Sequence, residues 1–359
     1  MLSKYFAFLL IIQLFSISLA VEDNVFLQIN RAQSFPDQTG TLTPLVVTLS
    51  SEDKSIKTKG VDLICVVDTS GSMSSNNKIT LVKESLKYLV QIMNSGDKLG
   101  IITFDSNSKT LMGLTQMTEA NKVSANTKIY SLKANGGTNI LCGLEKGLVL
   151  VNNYPSGERV TSIILLSDGY DQKTNADINF KKSITSSKKD NYPFTLHTLG
   201  YGESHQADLM HKLSLIRDGG YFFIRYLSLV KNAILEIYGS LSTNYKINVD
   251  ITISSKYKIN SVYGKEDMYQ YKLTSKTPFT FSTRIIQFVY GKSYDFVTLV
   301  DIPSNTPKGT IVLTATVSPF TKTVNYLWEN VFDPFAFEIY VKAISFTFFQ
   351  NAYNTRRNS

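Results

Sequence analysis

Val61–Ser72, VDLICVVDTSGS, is the stretch whose reading decides the fold. After Asp62 it is an unbroken apolar run, Leu63 to Val67, long enough for a buried strand and too short for a core helix. The run stops at Asp68, and Thr69, Ser70, Gly71 and Ser72 follow. An acid with hydroxyls at alternate positions behind it forms a set of hard oxygen donors. Such donors suit magnesium, calcium or manganese better than zinc or copper. Alone, the same residues also read as a helix N-cap with turn hydroxyls.

Two distant segments complete the set. Gly136-Gly137-Thr138-Asn139 lies between two helical patterns and adds a third hydroxyl, Thr138. A second apolar run, Val160–Leu166, ends in Ser167-Asp168-Gly169 and adds a second acid. In an open, mostly parallel sheet, ligands bind at the carboxyl ends of the strands. Asp68 and Asp168 fall at such ends and Thr138 falls on a loop that opens a helix, so the three segments can converge.

Asp68, Ser70, Ser72, Thr138 and Asp168 together resemble the metal-ion-dependent adhesion site of the von Willebrand factor A domain, built from D-x-S-x-S, a distant Thr and a distant Asp. The resemblance covers roughly Lys59–Ser242. It implies Mg²⁺, or Mn²⁺ or Ca²⁺, held directly by Ser70 and Ser72, directly or through water by Thr138, and mostly through water by the two acids. It further implies an adhesion-type protein partner whose Asp or Glu carboxylate completes the shell. Within this region SLKANGGTNILCGLEKG, SIILLSDG and FTLHTLGYGESHQADLMHKLS look like the A domain of plant-type proteins that pair it with a RING zinc finger. Those proteins act as ubiquitin ligases through the finger. With two cysteines and no C-x-x-C, only the fold and the metal site carry over to this chain.

The fold class expected is α/β: a doubly wound, mostly parallel sheet joined to a smaller all-β, sandwich-like unit. Apolar stripes at Ile79, Val82, Leu86, Leu89 and Met93, and at Leu141, Leu144, Leu148 and Val151, mark helices between strands, as right-handed βαβ crossovers require. Thr118 is placed to cap a helix running to about Leu132. Gly143 and Gly147 permit close helix-to-sheet contact. After Ser242 the pattern turns to alternation in Tyr245–Ile253 and Thr310–Val317, with short β-type runs at Phe279–Phe281 and Ile285–Val289. That unit is small for a sandwich of its own. Residues 22–60, with β-like runs Val25–Ile29 and Leu45–Leu49 around a turn at Pro36–Gly40, are expected to supply its missing strands. The organisation expected is therefore a signal peptide over 1–20, a β segment over 22–60, the A domain over 61–242, a β domain over 243–320, and a terminal segment over 321–359 with a helix near Phe335–Phe346 and a frayed tail.

Lys4, the apolar Tyr5–Phe15 and the small-x-small Ser18-Leu19-Ala20 define the signal peptide and place the product outside the cell or in the secretory lumen. No later segment reads as a membrane span, since Phe332–Phe349 contains Asp333, Glu338 and Lys342. The formal charge of +8 comes from scattered lysines without a dense basic run, which argues against nucleic acid as a partner. Cys65 and Cys142 make no disulfide framework and read as free thiols, with a bridge between them left open.

Enzymatic readings fare poorly. A strand-terminal Asp also serves as nucleophile in phosphoryl-transfer enzymes, but the hydrolase pattern wants an acid two residues later, where this chain has Ser70. His197, His205 and His211 form no H-E-x-x-H, and His205 and His211, six apart on an expected helix, do not share a face. The expectation is a binding module rather than an enzyme, with a purely structural metal as the alternative.

Overall fold

The computed structural model describes residues 25–34, 42–52, 60–153, 159–169, 171, 175–203, 205–264, 278–289, 291–329 and 331–345. The leader, the turn expected at Pro36–Gly40 and the expected tail lie outside the described residues.

One half of the molecule is a six-stranded sheet. Its strands are β3 (Val61–Asp68), β4 (Lys98–Phe104), β5 (Ser108–Gln116), β6 (Val160–Ser167), β7 (Phe194–Tyr201) and β8 (Tyr221–Ile224), in the order β5-β4-β3-β6-β7-β8. All neighbours are parallel except β4 and β5, which pair antiparallel at one edge. Six helices cover it: α1 (Lys78–Ile92), α2 (Glu119–Tyr130), α3 (Ile140–Val149), α4 (Ala176–Ser186), α5 (Ala207–Leu215) and α6 (Leu227–Ser242).

The period of two along β3 divides the core. Val61, Leu63, Cys65 and Val67 pack with residues of α1, α2 and α6, including Leu86, Ile129 and Ile234. Ile64 and Val66 face the other way, against Leu144 of α3, Phe180 of α4 and Met210 of α5. Strands covered on both faces read as continuous apolar runs, which is why β3 and β6 stand out in the sequence. At Gly143 a Cβ would come within 2.5 Å of the Phe104 ring, so α3 lies against the sheet at a distance only glycine allows.

The second half is built from both ends of the chain. β1 (Val25–Arg31), β2 (Leu42–Ser51), β12 (Ser293–Asp301) and β10 (Ile259–Gly264) form one antiparallel sheet in the order β1-β2-β12-β10. β11 (Thr280–Val289), β9 (Asn244–Ser255), β13 (Ile311–Ser318) and β14 (Lys322–Leu327) form the other, in the order β11-β9-β13-β14. Leu45, Val47 and Leu49 of β2 meet Ile251 and Ile253 of β9 and Ala315 and Val317 of β13 in the core between them. The outer face of the first sheet, with Val46, Val297 and Leu299, is closed by helix α7 (334–345) through Ala336, Ile339 and Tyr340.

Several elements depart from expectation. β14 lies beyond Phe320, where the β unit was expected to end. The two short runs at Phe279–Phe281 and Ile285–Val289 are one strand, β11. β5, β10 and β12 carry no clean alternation. β5 is an edge strand with most of its residues partly or fully exposed, and β12 is buried along its length with an acid, Asp295, inside it. Cys65 and Cys142 are both free, and burial pushes the Cys65 thiol up to about 12.

The two halves meet at the amino-terminal ends of the parallel strands. Gln287 of β11 donates through Nε2 to the Thr161 carbonyl at 3.1 Å, and the Ile286 amide donates to Asp218 Oδ2 at 3.3 Å. Beside these contacts lies a cleft of about 980 Å³ lined by His197, Asp218 and Phe222 from one half and Lys292 and Tyr294 from the other.

Candidate metal centre

Asp68 ends β3, and Asp168 follows directly on β6, the neighbouring strand. Both carboxylates are fully buried at the carboxyl edge of the sheet, at the opposite end from the β unit. Neither is left bare. Asp68 Oδ1 accepts from the Ser70 amide at 2.8 Å, and Oδ2 accepts from the Ser167 hydroxyl at 2.5 Å. Asp168 Oδ2 accepts from Lys78 Nζ at 2.8 Å. Burial raises the Asp68 pKa to about 6; hydrogen bonds from Ser167 and Ser70 work against that rise, and the charge of Asp168 adds to it.

The serines follow from local backbone. Ser70 precedes a 3₁₀ stretch, Gly71–Asn77, that is kinked at Ser75 and Asn76; it has extended dihedrals and no side-chain cap bond, so its hydroxyl is not consumed in capping. The Ser70 and Ser72 Oγ atoms lie 3.0 Å apart. Two ligands at right angles in an octahedral magnesium shell, each about 2.1 Å from the ion, are about 3.0 Å apart. The pair therefore fits one small hard cation. Among the described residues no group of three or more His, Cys, Asp or Glu side chains is arranged to hold a metal. A centre here rests on hydroxyls with two acids.

Thr138 arrives on a loop pinned to the first by backbone. The Asn135 amide donates to the Thr69 carbonyl at 2.7 Å, the Gly71 amide to the Gly136 carbonyl at 2.9 Å, and the Asn139 amide to the Asp105 carbonyl at 2.8 Å. Gly136 sits at φ +86°, and a Cβ there would also press on Asp105 at 3.3 Å. Thr138 is buried at 7% exposure, one residue before the Asn139 side chain that caps α3. The structure thus gathers all five residues expected from the sequence onto three adjoining loops.

It adds two that sequence reasoning passed over. Ser167 holds the second oxygen of Asp68 and also accepts from the Gly169 amide at 2.8 Å. Lys78 holds Asp168. A signal for Lys78 existed, because it precedes Val82 by one turn and so lies on the apolar stripe of α1. The histidines are elsewhere. His197 is a satisfied core residue: its Nδ1 accepts from the Gly220 amide at 2.9 Å. His205 precedes α5, which corrects the expectation that both histidines lie on one helix, and the rings of His205 and His211 each lie near Tyr221, at 5.8 and 6.2 Å between centroids.

A six-stranded, mostly parallel sheet with these loops at its carboxyl edge is the architecture of a von Willebrand factor type A domain. Residues 62–234 match the family model of that description, and this part of the chain is such a domain. Among curated proteins, YfbK of Escherichia coli (strain K12) is 31% identical over 183 residues, covering 50% of this chain and 31% of that protein. The E3 ubiquitin-protein ligase WAV3 of Arabidopsis thaliana is 31% identical over 150 residues, covering 40% of this chain and 20% of the ligase. The chain thus spans less than a third of the length of either relative. Among solved structures, a von Willebrand factor type A protein from Catenulispora acidiphila superposes with a TM-score of 0.67 at 19% identity, over 88% of this chain and 74% of that one. That likeness concerns the fold.

Proposed function

We propose that the chain is a secreted, metal-dependent protein-binding module of the adhesion type. Asp68, Ser70, Ser72, Thr138 and Asp168 would hold Mg²⁺ or Mn²⁺, and a partner's Asp or Glu carboxylate would bind there. The observation that carries the reading is the 3.0 Å spacing of the Ser70 and Ser72 hydroxyls beside two buried carboxylates. When bound, the ion supplies a Lewis-acidic position for an anionic oxygen. The protein's own part is to hold neutral hydroxyls toward it, which leaves much of its charge unquenched. Ser167 and the Ser70 amide keep both oxygens of Asp68 oriented.

Two other readings are weaker. A metal that only staples loops has less to do, since two backbone hydrogen bonds already join the Asp68 loop to the Thr138 loop. A nucleophilic Asp68 would need access, and its side chain is buried with both oxygens engaged. Capture of a protein ligand by the full chain, with and without EDTA, tests the reading. Binding is expected to vanish in EDTA, to return with Mg²⁺ or Mn²⁺, to be lost in Asp68→Ala and to be weakened in Thr138→Ala, with the fold retained. A ligand that binds equally well in EDTA and to Asp68→Ala would show the reading to be wrong.

A further inference from the structure

We propose that Lys78 is a resident counter-cation of the candidate metal centre, which compensates one of its two carboxylates and so leaves a bound divalent ion short of negative charge and receptive to an anionic ligand. The inference rests on the metal reading above and concerns how the site is tuned.

Lys78 is the first residue of α1 and is buried. Its ammonium meets Asp168 at 2.8 Å with both side chains withdrawn from water, at 4% and 0% exposure. Lysine is rarely buried to this degree, and a lone ammonium there would be strongly disfavoured. The fold also makes room for it. Gly202, just past the end of β7, has φ +84°, and a Cβ there would stand 2.8 Å from Lys78 Cε. The lysine stem occupies space that any other residue at position 202 would take.

The charges decide the consequence. Two carboxylates balance one divalent ion. With Lys78 on Asp168 the ensemble of Asp68, Asp168, Lys78 and the ion carries one positive charge in excess. In a buried setting that excess weakens metal binding and favours an incoming carboxylate, because like charges repel more strongly where water is excluded. A merely structural Lys78, tying α1 to the end of β6, predicts the reverse: its loss would loosen the loops and weaken metal binding.

Mn²⁺ titration of the full chain, followed by electron paramagnetic resonance, separates these outcomes. Lys78→Met and Lys78→Gln are expected to bind Mn²⁺ roughly tenfold more tightly than wild type, and Lys78→Arg to stay within about threefold of it, since it keeps the charge. The rise in Tm between EDTA and Mg²⁺ should be larger in the two neutral variants, whose metal-free forms leave Asp168 without its lysine. If wild type binds Mn²⁺ and neither neutral variant binds it more tightly, the role assigned to Lys78 is overturned while the metal reading stands. If wild type binds no Mn²⁺ at all, the metal reading fails and this inference falls with it.

Discussion

The two halves of this chain solve the same problem, burying a sheet, by opposite routes. In the α/β half each strand is followed by the helix or neighbour that covers it, as β3 is by α1 and β6 by α4. In the β half the central strand β2 lies between β1 and β12, so that Thr48 pairs with a residue 247 positions away, Asp295. The first arrangement writes its plan into local periodicity; the second depends on loop closure across an entire inserted domain. The difference teaches where each half is vulnerable, and it can be tested at decreasing scales.

The largest effect is expected from removing residues 22–60. β2 carries Leu45, Val47 and Leu49, all fully buried in the sandwich core. Without them β12 keeps only β10 as a neighbour and the second sheet loses half of its facing layer. A fragment over 61–359 should keep the α/β half folded and lose cooperative structure in β9–β14, a cost on the order of a whole domain's stability of about 5–15 kcal/mol. A fragment over 59–242 should fold by itself. Amide exchange on both fragments provides the check, and a cooperative, protected fragment over 245–320 would defeat the idea that the β unit needs its amino-terminal strands.

The next effect tests how the halves are joined. His197 lies on β7 at the inter-unit cleft, where burial, assisted by the charge of Lys292, lowers its pKa to about 4. The sign follows from proton counts. Between about pH 4 and the ordinary histidine value of 6.5, the unfolded chain holds a proton that the folded chain does not. The contribution is therefore fully present above about 6.5 and lost as pH falls toward 4, by up to roughly 3 kcal/mol. Urea unfolding across this range should show the slope, and His197→Gln should flatten it. In the isolated 59–242 fragment Lys292 is absent and the cleft is open, so an NMR titration should find His197 moved back toward 6.5. An unchanged midpoint would mean that the β unit does not shape this environment.

The same contrast explains what could be read in advance. β3, β6 and the stripes of α1 and α3 were legible because each buries a face against its own neighbours in sequence, and a buried strand or helix then shows its period. The five candidate site residues were legible because they sit where strands end and helices begin. β12 was not, because Asp295 interrupts its apolar run; its acceptor bonds from Thr48 and Ser293, at 2.7 and 3.1 Å, are invisible without the fold. β5 was not, because an edge strand needs no clean alternation. Ser167 and Lys78 were passed over for a different reason. They are buried and act through Asp68 and Asp168, so their role depends on which side chains the sheet brings beside them.

The smallest effects bring the comparison down to single hydrogen bonds. In the β half, Thr48 donates to Asp295 at 2.7 Å inside a buried sheet. Thr48→Val keeps the shape and removes a donor from a buried carboxylate, an expected loss of about 1–3 kcal/mol. In the α/β half, Thr118 caps α2 through a 3.4 Å bond from the Asn121 amide, at a partly exposed helix end where water can take its place. Thr118→Ala should cost about 0.5–1 kcal/mol, the low end for N-caps. Because the two sites lie in different halves with no shared partner, the double variant should be additive within about 0.5 kcal/mol. Urea unfolding of the three variants measures this directly. If Thr118→Ala proved the costlier change, local capping rather than long-range pairing would be the tighter constraint, and the division between the two halves drawn from their connectivity would have to be abandoned.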